Sequence, residues 1–230
     1  MSYGIFGQVR RSVIWVCLVT TFFPALTAGQ ENSGDKDQPA VPEFLGKSSD
    51  LFDGKSLGDW KPTEFGTGRS VTVSEGAIEL EEGFPLTGIT YAGEVPRDNY
   101  ALDLEAQKVT GNDFFCAVTF PVEQTHCTLV LGGWGGTVTG LSCIDGKDAS
   151  ENETTQFIRY ERNRWYRVRI RVADKRIQAW LDDRQLLNVP YTDKELSLRN
   201  EVLLSRPLGI CSFSTTARLR NLRLIHLDSE

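Results

Sequence analysis

The sequence predicts an all-β domain folded as a sandwich of two stacked sheets. Three observations carry that expectation. Short runs of alternating apolar and polar side chains recur along the chain, tight-turn residues separate them, and no convincing helical period appears between Leu51 and Leu227. A domain of about 180 residues made of such strands suits two packed sheets better than one small barrel.

The amino terminus stands apart from that domain. Arg10-Arg11 precede an apolar run from Ser12 to Phe23, and the small residues Ala25, Thr27 and Ala28 follow. That order reads as a secretory signal peptide over residues 1–28, cut after Ala28. The run is too short for a comfortable transmembrane helix. Residues 29–48 are dominated by Gln, Glu, Asn, Ser, Gly, Asp, Lys and Pro and read as a disordered linker. Residues 49–228 remain as the folded domain. The leader carries two arginines and no acid, so its loss takes the formal charge from −6 to −8. An acidic exported domain, periplasmic or secreted, argues against nucleic acid and anionic membranes as partners and suits neutral ones such as carbohydrate.

Within the domain, Leu51 to Gly54 reads as a strand entering a turn, with Trp60 just beyond. Ser70–Ser74 and Ala77–Glu81 flank Glu75-Gly76 as a hairpin. Ile89–Ala92 is a short strand, and Tyr100–Lys108 alternates over its whole length. Another strand starts over Gln156–Glu161. Arg164–Val172 and Arg176–Leu181 form the clearest hairpin, around Asp174-Lys175. It has Val168, Ile170, Val172, Ile177, Ala179 and Leu181 on its core face, and Arg169 and Trp180 on the other. A loop with Pro190 and Pro207 follows, holding a helical turn over Tyr191–Asn200. Leu208–Phe213 and Leu219–Leu227 close the chain.

The stretch Gly111–Gln156 carries most of the chemistry. Phe114–Phe120 is a strand broken by Pro121, Cys127–Leu131 resumes it, and Gly132-Gly133-Trp134-Gly135-Gly136 turns the chain into a third strand, Thr137–Ile144. Centring the turns on Glu123 and Gly135 sets Ala117 opposite Leu129, and Leu129 opposite Leu141. Phe115, Ala117, Leu129, Leu131 and Leu141 then face the core. His126, Thr128, Gly140 and Ser142 share the other face. Small polar residues on neighbouring strands either floor a ligand groove or simply pack or meet water. The same register sets Cys127 opposite Cys143, a cross-strand pair bridged only with strain and otherwise two buried thiols.

His126 is one of two histidines in the chain. It is the candidate base, donor or ligand, or else an ordinary hydrogen-bonded strand-end residue. The loop Asp145–Thr154 holds four carboxylates and Asn152. Its oxygens suit a hard divalent cation such as calcium, although the spacing is not that of an EF-hand and acidic loops are commonly just solvated. Asp145 and Glu151 also suit acid–base work, and Asn152 suits sugar hydroxyls. Trp134 between glycine pairs offers a flat face for a sugar ring, or folds onto its own hairpin. Trp180 with Arg169 is a second sugar platform or a solvated ladder, depending on the sheet that carries it. No nucleophile elbow, HExxH or phosphate loop occurs.

These segments carry a resemblance. Leu51-Phe52-Asp53-Gly54-Lys55-Ser56-Leu57 with Trp60, the Trp165–Asp183 hairpin, Pro207-Leu208-Gly209-Ile210 and Leu219-Arg220-Asn221-Leu222-Arg223-Leu224 resemble, in order, the motifs of the 3-keto-disaccharide hydrolase domain family. The middle of the chain is closer to an exported bacterial subgroup of it. The resemblance implies a concanavalin-A-like jelly roll that binds carbohydrate. It also implies cleavage of glycosides oxidised at C3, in which a base removes the acidified C2 proton, the C1 substituent departs and water adds. A divalent cation or hydrogen-bond donors on the ketone oxygen would steady the enolate. A non-catalytic carbohydrate-binding module on the same fold is the rival reading. The leader makes a direct prediction: N-terminal sequencing of the exported protein gives Gly29 as the first residue, and an intact leader overturns the assignment.

Overall fold

The computed structural model describes residues 43–228. The leader and most of the linker expected from the sequence lie outside the described residues. In chain order the first strands are β1 (Gly46–Asp50), β2 (Trp60–Pro62), β3 (Val71–Ser74), β4 (Ala77–Leu80) and β5 (Leu86–Tyr91). Then come β6 (Tyr100–Lys108), β7 (Cys116–Val122), β8 (Thr125–Gly133), β9 (Val138–Ser142) and β10 (Gln156–Phe157). The last are β11 (Trp165–Ala173), β12 (Arg176–Leu181), β13 (Arg184–Pro190), a short 3-10 helix (Asn200–Ser205), β14 (Gly209–Phe213) and β15 (Ala217–Leu227).

Two antiparallel sheets result, as the alternation predicts. One has the order β13-β12-β11-β6-β15-β4-β3, with β1 added along β15. The other has the order β10-β9-β8-β7-β14-β5-β2. Inward side chains from both meet in one apolar layer. Ile78, Leu102, Val168 and Ile170 come from the first sheet, and Phe120, Leu129, Leu131 and Leu141 from the second. Burial of this apolar surface is the main force holding the sheets together.

Local geometry follows the turn residues. Asp174 and Lys175 both take φ of 55°, the paired left-handed conformation whose twist matches the flanking strands, so Ala173 pairs with Arg176. Glu75 and Gly76 do the same for β3 and β4.

Several expectations need correction. The turn after β7 has two residues, Glu123 and Gln124, so Val122 pairs with Thr125 and Val118, not Ala117, lies opposite Leu129. A one-residue shift inverts the faces of a strand. Ala117 therefore points away from the core and joins Val130 on the outer side, while Val118 takes its place inside. Leu129 does pair with Leu141. Leu51 and Phe52 form no strand; instead the Leu51 carbonyl accepts the Trp60 indole N–H at 2.9 Å. The supposed linker already pairs from Gly46 onward, because main-chain bonds to β15 need no apolar side chain and all five β1 residues stay exposed. Strand β13 is not expected from the sequence, since Leu186, Leu187 and Val189 make too brief a run to stand out. The helical turn appears just later than expected, at Asn200. All four described cysteines are buried free thiols. β9 ends at Ser142 and the Cys143 amide turns to the Ser197 carbonyl, so the expected Cys127–Cys143 ladder pair never forms.

Leu129 is fully buried at the centre of the second sheet. Leu129→Ala should lower the unfolding free energy by about 2–5 kcal/mol in urea titrations, whereas Lys61→Ala on an edge strand should shift it by less than about 0.5 kcal/mol.

Candidate functional site

The outer face of the seven-stranded sheet is covered in part by two chain segments. One is the acidic loop after β9, and the other is the 3-10 helix with the residues leading into it. Ala149 from the loop and Val202 from the helix pack on Leu86, Ala117, Val130 and Cys211. Between these covers and the strands lies a cleft of about 180 Å³. Its floor is Ala117, Thr128, Val130 and Ser142. Phe114, Phe213 and Trp134 wall it, and Arg199, Glu201 and Val202 reach it from the helix side.

The acidic loop is held by one amide. Asn152 Nδ2 donates to the carbonyls of Leu141 and Asp148 at 2.8 Å and lies 3.2 Å from that of Lys147. Its Oδ1 accepts from Thr154 N and Oγ1. Thr154 Oγ1 in turn accepts the Leu141 amide at 2.8 Å. That hydroxyl sits 2.8 Å from where a Cβ on Gly140 would be, so only glycine lets the loop lie this close to β9. Asn152, expected to meet a sugar, is thus occupied in holding its own loop.

The Gly-Trp-Gly turn is clamped from below. Asp113 accepts the Phe114 amide at 2.8 Å and the Gly135 amide at 3.0 Å. Trp134 takes a left-handed φ of 48° and leaves its indole 40% exposed at the cleft wall. The Arg199 guanidinium lies 5.8 Å from the centre of that ring. Arg199 also bonds Glu201 and Asp148, each at 2.5 Å. The Glu201 contact, opposed by burial, raises the Arg199 pKa. A fixed cation between two carboxylates therefore lies beside the aromatic wall.

Three expected residues share this cleft: Trp134, Thr128 and Ser142. Thr128 bonds the Thr119 hydroxyl at 2.9 Å. The others lie elsewhere. His126 is on the same outer face but at the strand end, outside the cleft lining, where its Nε2 is buried without a hydrogen-bond partner. Burial, together with the Arg97 and Arg206 charges, holds its pKa below the usual histidine value. Asp145 accepts the Glu195 amide at 2.8 Å and ties two loops together. Glu151 is exposed on the loop surface. Among the described residues, no three His, Cys, Asp or Glu side chains are grouped to hold a metal ion.

Trp180 and Arg169 belong to the other sheet and lie apart from this cleft. Trp180 is 3% exposed because the Phe44 ring meets it edge-on at 5.5 Å, leaving no open platform for a sugar. Arg169 is 4% exposed and donates to the Asp182 carbonyl at 3.0 Å. Sequence reasoning missed Arg199, Glu201, Val202 and Phe213. The only signal for the first three was the short Arg199–Ser205 run of polar and apolar residues before Pro207, and Phe213 shows in the sequence only as the end of the Leu208–Phe213 strand.

Residues 47–225 match the model of the 3-keto-alpha-glucoside-1,2-lyase-like domain. The chain belongs to this family. No curated protein sequence matches the chain significantly. Among solved structures, the Emp46p carbohydrate recognition domain aligns with a TM-score of 0.54 at 12% identity, over 83% of this chain and 97% of its own. The Crh5 transglycosylase aligns with a TM-score of 0.54 at 9% identity, over 83% and 90%. A structure described with the endo-acting O-glycanases that prominent members of the human gut microbiota express to initiate mucin breakdown gives 0.54 at 12% identity, over 81% and 100%. At such identities these likenesses establish the jelly-roll fold.

The His126 environment yields a pH prediction. Its folded pKa is depressed, so below the ordinary value near 6.5 the unfolded chain takes up a proton that the folded one resists. Stability should therefore fall as pH drops through 6.5 toward the lower folded value. In His126→Gln that part of the slope should vanish, leaving only the carboxylate contribution at lower pH. Equal slopes in both proteins between pH 7 and 5.5 overturn this account.

Proposed function

We propose that this exported domain cleaves 3-keto-glycosides by elimination, using the cleft beneath the 3-10 helix. The observation that carries the reading is the Arg199–Glu201 pair facing a cleft floored by small side chains, in a member of the 3-keto-alpha-glucoside-1,2-lyase-like family. A ketone at C3 acidifies the C2–H bond. The Glu201 carboxylate, whose second oxygen is not committed to Arg199, takes that proton. The electron pair moves into an enolate, and its oxygen is met by the Arg199 guanidinium. Collapse of the enolate restores the ketone, forms the C1–C2 double bond and expels the C1 substituent, which takes a proton from Glu201 or water. Water then adds, hydroxyl to C1 and hydrogen to C2. The Ser142 hydroxyl can bond sugar hydroxyls, and Trp134 supplies a flat face for the ligand. Asp145 serves this scheme only by tying the loop to the segment ahead of the helix, and His126, outside the cleft lining, takes no part in it.

One observation favours a second reading, a binding module without turnover. Glu201 and Asp148 are both already engaged with Arg199, as in a structural ion-pair network. The two readings separate in one experiment. The purified protein is incubated with a 3-keto-disaccharide and with its unoxidised parent. The elimination reading expects turnover of the keto sugar alone. It also expects Glu201→Gln to lower kcat by about a hundredfold or more, and Trp134→Ala to raise KM about three- to tenfold with a smaller change in kcat. Binding of both sugars with turnover of neither sinks the enzyme and leaves the module.

A further inference from the structure

The cleft is not uniform along its length. Register sets its floor out in rows. Ser142 and Thr128 lie side by side in the first row. Val130 and Ala117 form the second, with Cys211 buried next to Ala117 outside the cleft. Beyond it stand Phe213, two residues further along β14, and Phe114, their rings 5.5 Å apart. Each step between rows spans two residues, so the floor extends roughly 13 Å from the hydroxyl row to the phenyl pair. That is room for a sugar ring and a second ring in line.

The second ring would meet apolar walls. Val130 and Ala117 lie beneath it, Phe114 and Phe213 end the floor, and Val202 lies on the helix side. Both Asp113 oxygens at this end accept backbone amides, and the Arg199 guanidinium beside the Trp134 ring is engaged with Glu201 and Asp148. A second sugar placed here would lose hydration from several hydroxyls and find few partners, which costs free energy for each hydroxyl left unpaired. A flat apolar group would lose none. The indole of Trp134, beyond the end of β8, extends the aromatic wall at the same end.

We propose that the substrate is a glycoside whose aglycone is a flat apolar group such as an aromatic ring, with the sugar on the hydroxyl row and the aglycone against Phe114 and Phe213. This rests on the reading of the cleft as a sugar site, and it exchanges the disaccharide for an aryl glycoside as the preferred ligand.

The test uses unoxidised ligands, which bind without reacting. The purified protein is titrated calorimetrically with phenyl glucoside, both anomers, and with a glucose disaccharide. Phenyl glucoside of one anomer should bind at least tenfold more tightly, with a more negative heat-capacity change. Phe213→Ala should abolish that preference. Phe213→Leu, which keeps the apolar bulk and the fold, should reduce it severalfold. Equal or tighter binding of the disaccharide, undetectable binding of every ligand, or an undiminished preference in a folded Phe213 variant overturns the proposal. Turnover of keto sugars is read separately. A keto-disaccharide consumed without any aryl preference defeats this inference alone, whereas an aryl preference without turnover of any keto-glycoside supports it and defeats the elimination reading.

Discussion

Everything on the outer face of the seven-stranded sheet depends on the register between β7 and β8. With a two-residue turn, Thr119 stands beside Thr128 and Ala117 beside Val130, and the cleft floor is small and partly polar. A slip by one residue would bring Val118 out in place of Ala117 and put Ala117 in the core. Both faces resist that exchange. The inner one would lose packing against Leu129 and its neighbours, and the outer one would fill with β-branched bulk. The core and the cleft are thus specified by the same pairing.

The covers over that face are held by polar contacts rather than by apolar packing alone. Asn152 spreads its amide over carbonyls of β9 and of its own loop, and Asp145 fastens the loop to the segment ahead of the helix. Arg199 links the loop's Asp148 to Glu201 on the helix. The two covers are therefore joined to each other as well as to the sheet, and the charged groups facing the cleft are fixed before any ligand arrives. Preorganised charge of this kind stabilises a developing enolate better than groups that must first reorient. The same rigidity would serve a binder equally well.

Most of the fold was legible because alternation is a local property. The β11–β12 hairpin was read with its turn and its core face correct, since Val168, Ile170 and Val172 repeat without interruption. The β7–β8 faces were half right. Pro121 obscured the turn, and a shift of one residue misplaced Ala117. The site was less legible because its parts come from distant places. Trp134 was conspicuous by its glycines, and Thr128 and Ser142 by their shared face. Arg199 and Glu201 belong to a segment whose position over the sheet is set by contacts far along the chain. Trp180 looked open because nothing local to it announces Phe44, more than a hundred residues earlier.

The loop's single amide has one more consequence, for production of the protein. Asn152, Glu153 and Thr154 spell the acceptor triplet for N-linked glycans, and the modified atom would be the same Nδ2 that holds the loop to β9. In a eukaryotic secretory host the sugar is attached to that nitrogen and leaves it one hydrogen where the fold uses two. Material from such a host would carry a loosened cover over the cleft, so a bacterial host is the sound source for binding or activity work.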